Sequence, residues 1–163
     1  MLDIGQYYEL LEREYPFPNS NLETIAKLIY SIYDIKAPIE DMNLIINRIG
    51  GTVEEISGMS SQIRKSEENG FRIGIPTYVS KVTRNIMAAR ELGHLFLHMG
   101  FLTDSEKWNS LDHKCYYSKS SIEDEHIYEF AEAFLMPGDE FRSFVLAHLN
   151  SGIVNVQEVV IRK

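Results

Sequence analysis

Apolar residues recur at three- and four-residue spacing in the first third of the chain, which is typical of amphipathic helices. One helix is predicted after the capping candidates Asn19 to Asn21. A second is predicted to open at Pro38, because proline suits the first turn, and to end at Gly50-Gly51. The apolar positions that define these two helices are Leu22, Ile25, Ala26, Leu28, Ile29 and Ile32, then Met42, Ile45, Ile46 and Ile49.

Beyond the glycines, the pattern favours strands over Thr52 to Ile56 and Gly70 to Ile75, separated by a polar loop from Ser57 to Asn69. Pro76 follows the second strand and cannot donate to a hydrogen-bond ladder, so this strand is predicted to lie at the edge of the sheet. An extended peptide can add itself to such an edge. We therefore expect its apolar residues Phe71, Ile73 and Ile75 to contact a substrate or partner.

A longer helix is predicted from Thr83 to Met99, with Gly100 as its C-cap. Its apolar residues share one side, whereas Arg90, Glu91, His94 and His98 fall on another. A single histidine is usually a satisfied structural residue. Two histidines at four-residue spacing beside Glu and Arg favour a polar functional cleft over that structural interpretation.

Phe101 to Lys119 is interpreted as a surface loop. The Asp112 to Cys115 stretch within it does not have the spacing of a metal cluster, since the chain has a single cysteine. Ser120 to Glu123 has the form of a capping box, which predicts a helix running to Met136. His126 lies in that helix, and its alternative interpretation is an interior histidine near the core.

Length, cysteine count and net charge limit the expected domain number, location and partners of the protein. With 163 residues and 44% hydrophobic content, one compact domain is expected. The lone cysteine and the absence of a leader pattern indicate a cytoplasmic protein, and no apolar run is long enough for a membrane span. The net charge of −8 argues against direct nucleic-acid binding, but an acidic body can attract a basic protein partner.

The stretch Arg90-Glu91-Leu92-Gly93-His94 is one residue away from a zinc-peptidase motif. In H-E-x-x-H, two histidines one turn apart hold zinc, and the Glu polarises a metal-bound water. Here Arg90 stands at the first histidine position. A guanidinium remains protonated and offers no lone pair, so Arg90 cannot be a zinc ligand.

These residues, together with Leu97-His98, Phe130-Ala131 and Leu135-Met136-Pro137, resemble the ImmA/IrrE family of bacterial and phage metallo-endopeptidases. The resemblance covers residues 38–163, and residues 1–36 are interpreted as an added helical segment of the same single domain. It implies an α+β, zincin-like metallopeptidase fold, mostly helical, with a small three-stranded sheet beside the active-site helix.

Carried over by position, the resemblance places Glu91 on the catalytic general base and His94 on the second zinc ligand. Arg90 falls on the first ligand and His126 on the glutamate ligand. Zinc is expected to be absent or weakly bound, with Arg90 supplying a charge in place of the ion and pairing with a carboxylate such as Glu91. In the alternative, His94, His98 and His126 form a relocated zinc site.

Two functions follow from the resemblance. The favoured one is an inactive or impaired, regulatory member that binds a helix-turn-helix repressor or a related regulator, as an antirepressor. The alternative is an active zinc-dependent endopeptidase that cleaves such a repressor. Glu91→Gln separates them, because only the second function requires that carboxylate.

Overall fold

The computed structural model of the protein describes residues 22–68 and 70–137 and has a mixed α+β architecture. The elements are α1 (Leu22–Tyr33), α2 (Met42–Ile49), β1 (Gly51–Ile56), β2 (Gln62–Lys65), β3 (Phe71–Pro76), α3 (Lys81–Leu97), α4 (Ser105–Ser110) and α5 (Ser121–Leu135). The expected cap at Asn19 to Asn21 and the expected helix after Asp139 lie outside the described residues. Among the residues described, no helix has both the length and the apolar character needed to cross a bilayer.

The three strands form one sheet in the order β1-β3-β2. β1 runs parallel to β3, with Gly51 opposite Phe71, and β2 runs antiparallel to β3, with Ile63 opposite Ile73. The prediction that Phe71, Ile73 and Ile75 form an edge strand is therefore wrong, because they lie on the central strand and are fully buried. Pro76 is the last residue of β3, so its missing N–H leaves the ladder before it intact.

The polar loop predicted between the two strands contains β2. Only Ile63 of its four residues is apolar and fully buried, which is too little alternation for a strand signal. The residues on either side of Ile63 are hydrophilic, and Arg64 is held by an ion pair with Glu54 at 3.1 Å. Pairing with β3, rather than local sequence preference, makes this segment a strand.

The end points of two predicted helices also differ from the structure. The second helix begins at Met42, after a cis Ala37–Pro38 peptide, and Asp41 is its cap, accepting a hydrogen bond from the Asn43 amide at 2.9 Å. Gly50 ends this helix with a left-handed φ of 111°, as predicted. The longest helix ends at Leu97 with His98 as its C-cap, so Gly100 lies beyond the cap.

α4 lies within the stretch that the sequence indicated to be a loop. It carries Trp108, which is buried and packs edge-on against Phe101 with ring centroids 5.1 Å apart. The backbone carbonyl of Trp108 accepts a hydrogen bond from the Lys65 ammonium at 2.9 Å. This short helix therefore closes the end of the core and satisfies a buried lysine of β2.

The core lies between the sheet and the helices, and α3 packs against β2, β3 and α5. Gly93 allows α5 to approach α3 closely, because a Cβ at this position would lie 2.9 Å from Cδ1 of Ile127. α1 packs on the far side of α5, where the Tyr30 hydroxyl donates to the Phe134 carbonyl. Residues 22–33 are thus part of the same core as the rest of the described chain.

Candidate functional site

Three polar residues of α3 and its C-cap, His98, make up the candidate site, and most of them point inward. Glu91, His94 and His98 are buried, with 7%, 8% and 3% of their surfaces exposed, whereas Arg90 is half-buried. Three of the four residues are thus covered by other parts of the protein. Each buried polar group consequently requires a partner.

Glu91 is held by a residue that the sequence did not indicate. The Ser61 hydroxyl, just before β2, donates a 2.8 Å hydrogen bond to Oε1 of Glu91. Burial raises the pKa of the Glu91 carboxyl to about 7, although the Ser61 hydrogen bond and the Arg90 charge lower it. Glu91 therefore titrates near neutral pH.

Arg90 is directed toward α5. Its guanidinium carbon lies 4.5 Å from the centre of the Tyr128 ring, and its Nη2 donates to the Tyr128 hydroxyl at 3.2 Å. The predicted salt bridge between Arg90 and Glu91 is not formed, and no carboxylate in the described part of the chain pairs with Arg90. Nε of Arg90 is buried and has no hydrogen-bond partner there.

His94 and His98 face each other. Their Nδ1 atoms are 3.2 Å apart, so one ring must donate while the other accepts. Burial lowers the pKa of both imidazoles, to about 4 for His98. The charges of His94, His126 and Lys107 lower the His98 pKa further, and Glu123 opposes them. Both rings are thus neutral at physiological pH.

Residues 113–118, which we call the covering segment, lie over these histidines. The Tyr116 ring is nearly parallel to His98 at 6.2 Å and tilted against His94 at 5.3 Å. The Ser118 hydroxyl is 3.5 Å from Nε2 of His94. The covering segment is fixed to β2, since the Tyr116 amide donates to the Ile63 carbonyl at 2.8 Å and Cys115 forms a bridge with Arg64.

Glu123 connects the covering segment to α5. Its amide donates to the Ser120 hydroxyl at 3.3 Å, which is one half of the predicted capping box. In a full capping box the Glu123 carboxylate would accept from the Ser120 amide. Here it accepts instead from the Lys119 amide at 2.9 Å and from the Tyr116 hydroxyl at 3.3 Å. Glu123 thereby positions the ring that covers the histidines.

These residues, in their present arrangement, do not fit a zinc site of the expected kind. Arg90 stands where the resemblance would place the first ligand, and Nδ1 of His94 is engaged by His98. His126 is half-buried on α5, near enough for its charge to act on His98. Over residues 22–68 and 70–137, no three His, Cys, Asp or Glu side chains form a group that could hold a metal ion.

Sequence reasoning missed three residues of the site, namely Ser61, Tyr116 and Tyr128. Each comes from a different part of the chain and reaches α3 through tertiary packing, so no local spacing marks it. Comparison with known proteins adds no further assignment: no family model, no curated protein and no solved structure matches this chain.

Proposed function

We propose that this protein is a non-catalytic, zincin-like relative of the ImmA/IrrE metallo-endopeptidases, which regulates transcription by binding a helix-turn-helix repressor or a related regulator. The observation that carries the proposal is the position of Arg90. Its guanidinium is stacked on Tyr128 at the place where the motif requires the first zinc ligand.

Arg90 opposes metal binding in two ways. It has no lone pair to donate, and its fixed positive charge lies one residue before Glu91 and one turn before His94 on the same helix. Stacking on an aromatic ring and a hydrogen bond to that ring's hydroxyl hold the charge in place. The scaffold therefore holds an arginine at this position through Tyr128, without a metal ion.

The remaining polar groups of the site are satisfied by one another. Glu91 accepts from Ser61, and His94 pairs with His98 beneath Tyr116. A catalytic site needs its base and ligands available to metal, water and substrate. In this protein those groups stabilise the packing of α3 against β2 and the covering segment.

A binding role is supported by the surface near the site. Tyr128, which holds Arg90, keeps 57% of its surface exposed, and Tyr117 within the covering segment keeps 74%. Exposed aromatic side chains are frequent anchors of protein interfaces. The net charge of −8 favours a basic partner, and a DNA-binding repressor is basic where it contacts phosphates.

One observation favours the alternative, an active zinc endopeptidase. A carboxyl with a pKa of about 7 is well matched to general-base work near neutral pH, and Glu91 has such a pKa. In that case zinc would be held by His94, His98 and His126, and the two buried rings would have to part from each other.

Glu91→Gln tests the two functions against each other. The chain is co-expressed in a bacterial reporter strain with each helix-turn-helix repressor encoded beside its gene, and repressor integrity is followed by immunoblot. Derepression with an intact repressor, unchanged in Glu91→Gln, is the expected result. Glu106→Gln, which alters an exposed carboxylate on α4, is the matched control.

Repressor fragments that disappear with Glu91→Gln would establish the peptidase instead. If the protein neither relieves repression nor co-purifies with any of these repressors, the regulatory proposal is wrong.

A further inference from the structure

Two arginines stand side by side on the face of the sheet that points away from α3. Arg64 of β2 is the direct cross-strand partner of Arg72 of β3. Side chains alternate along a strand, and the neighbouring Ile63 and Ile73 are fully buried in the core, so the arginines point to the opposite face. Like charges in directly opposed positions are destabilising unless something neutralises them.

Among the residues that the structure describes, the positive charges of Arg64 and Arg72 are only partly neutralised. Glu54 of β1 pairs with Arg64 at 3.1 Å. Arg72 is exposed, and no ion pair or hydrogen bond to its side chain is found within residues 22–68 and 70–137. Glu54 thus pairs with one of the two guanidinium groups, and the donors of Arg72 remain available to a ligand.

The same arginines line a cavity of about 230 Å³, which opens at the end of the β2–β3 hairpin. Its lining residues are Arg64, Lys65, Ser66, Glu67, Arg72 and His113. This volume accommodates a phosphate group together with several waters, since one water occupies about 30 Å³.

Not every lining residue is available to a ligand. The Lys65 ammonium is buried and donates to the Trp108 carbonyl. Nδ1 of His113 lies 3.2 Å from the Lys65 carbonyl and must donate to it, which leaves Nε2 as its free nitrogen. Glu67 is the single carboxylate of the lining. Arg64, Arg72 and Ser66 therefore provide donors, and the net charge of the lining residues is positive.

We propose that this basic pocket, whose donors are Arg64, Ser66 and Arg72, binds the phosphate group of a small ligand, either free phosphate or a phosphomonoester. Guanidinium groups match phosphate oxygens with paired N–H donors, and a dianion between the two arginines removes their mutual repulsion. The acidic body of the protein repels extended polyanions, which favours a small ligand over nucleic acid.

The test is a calorimetric titration of the full chain with inorganic phosphate, O-phosphoserine and adenosine monophosphate, each at matched ionic strength set with chloride. Saturable binding of one ligand per chain is expected. Arg72→Gln and Arg64→Gln should each weaken it about tenfold or more, because each removes a charged hydrogen-bonding fork. Arg72→Lys, which keeps the charge without the fork, should lose part of the affinity.

Arg84→Gln is the matched control, since it removes one positive charge from an arginine that pairs with Glu55 and does not line the pocket. Its affinity for phosphate should equal that of the native chain. Tighter binding of one ester than of phosphate identifies the source of the group. The proposal is overturned if no ligand binds saturably, if Arg72→Gln binds as the native chain does, or if Arg84→Gln weakens binding equally. Circular dichroism of each variant verifies that it is folded.

Discussion

Nδ1 of His94 lies 3.2 Å from Nδ1 of His98, one turn further along α3, in a part of the molecule from which solvent is almost excluded. The two rings share one proton between these nitrogens. Protonation of the accepting Nδ1 would bury an imidazolium and set two N–H groups against each other, which is strongly unfavourable. The pair is therefore a structural element that depends on pH.

His98 should make the protein less stable in acid. Its folded pKa of about 4 lies below the ordinary value of 6.5. The neutral His98 ring therefore contributes to folding stability fully above pH 6.5, and this contribution is lost as pH falls through 4. This contribution is on the order of 3 kcal/mol. His98→Asn keeps a polar atom near the Nδ1 position without titrating. Urea unfolding between pH 4 and 8 should show a smaller loss of stability in acid for this variant. Equal losses in the two proteins would contradict the prediction.

Glu91 should have the opposite effect on the pH dependence of stability, making the protein less stable as pH rises. Its pKa is raised from 4.5 to about 7, so the folded state binds more protons between these values, and stability falls as pH rises through this window. Between pH 4.5 and 8, the free energy of unfolding of Glu91→Gln should increase relative to that of the native chain by on the order of 3 kcal/mol. The measurement is the difference in unfolding free energy at each pH. A difference for Glu91→Gln that does not change with pH would refute the assignment.

Arg90→His should restore a zinc site if the scaffold is otherwise intact. It re-creates the two histidines of the motif at positions 90 and 94 and removes the opposing charge. Elemental mass spectrometry of protein purified without chelators should find zinc in this variant and little in the native chain. Arg90→Lys keeps a charge at the same place and should stay free of zinc. About one zinc per native chain, lost in His94→Ala, would instead support the relocated site.

Tyr116 should control chemical access to the histidine pair. Tyr116→Ala removes the ring that lies on His98 and His94, so modification of these imidazoles by diethyl pyrocarbonate should accelerate. A roughly tenfold increase in the modification rate corresponds to a loss of about 1.4 kcal/mol of packing free energy. Tyr116→Phe keeps the ring, loses the hydroxyl that donates to Glu123, and should react nearly as slowly as the native chain. Mass spectrometry of the modified peptides measures both rates.

Gly51 should tolerate no side chain. A Cβ at this position would lie 2.3 Å from the ring of its strand partner Phe71, which is itself 1% exposed. Gly51→Ala should therefore cost roughly 1–3 kcal/mol of stability through overpacking. Thr52→Ala, at the exposed next residue, should change stability by about 0.5 kcal/mol or less. Chemical unfolding of the three proteins compares them, and an unaffected Gly51→Ala would show that the ring can move aside.

The parts of the fold that follow from sequence are those with strong periodicity. The apolar positions of α1, α3 and α5 alternate with polar ones at helical spacing, and these helices are present in the structure. β2 could not be predicted, because it is short and owes its conformation to pairing with the distant β3. α4 is six residues long, and its one local signal is the Asp104 side chain, which accepts from the Lys107 amide. The edge position of β3 was predicted wrongly because proline at the end of a strand does not reveal which neighbours pair before it.

For the site, the sequence located Arg90, Glu91, His94 and His98 on one face of a helix, as the structure has them. It did not reveal how these groups are satisfied. The partner of Glu91 precedes β2, the partner of Arg90 is on α5, and the ring over the histidines belongs to the covering segment. Such partners are set by tertiary packing, and a motif read along one helix carries no information about them.

The attachment of the covering segment to β2 also bears on self-association. Exposed strand edges invite pairing between molecules, and proteins protect them with short strands, charged residues or a covering loop. β2 has all three protections: it is four residues long, it carries Arg64 and Lys65, and the Tyr116 amide donates to its Ile63 carbonyl while Cys115 lies opposite Arg64. The segment that closes the histidine pair thus also covers this edge, so less of its backbone is open to a strand from another molecule.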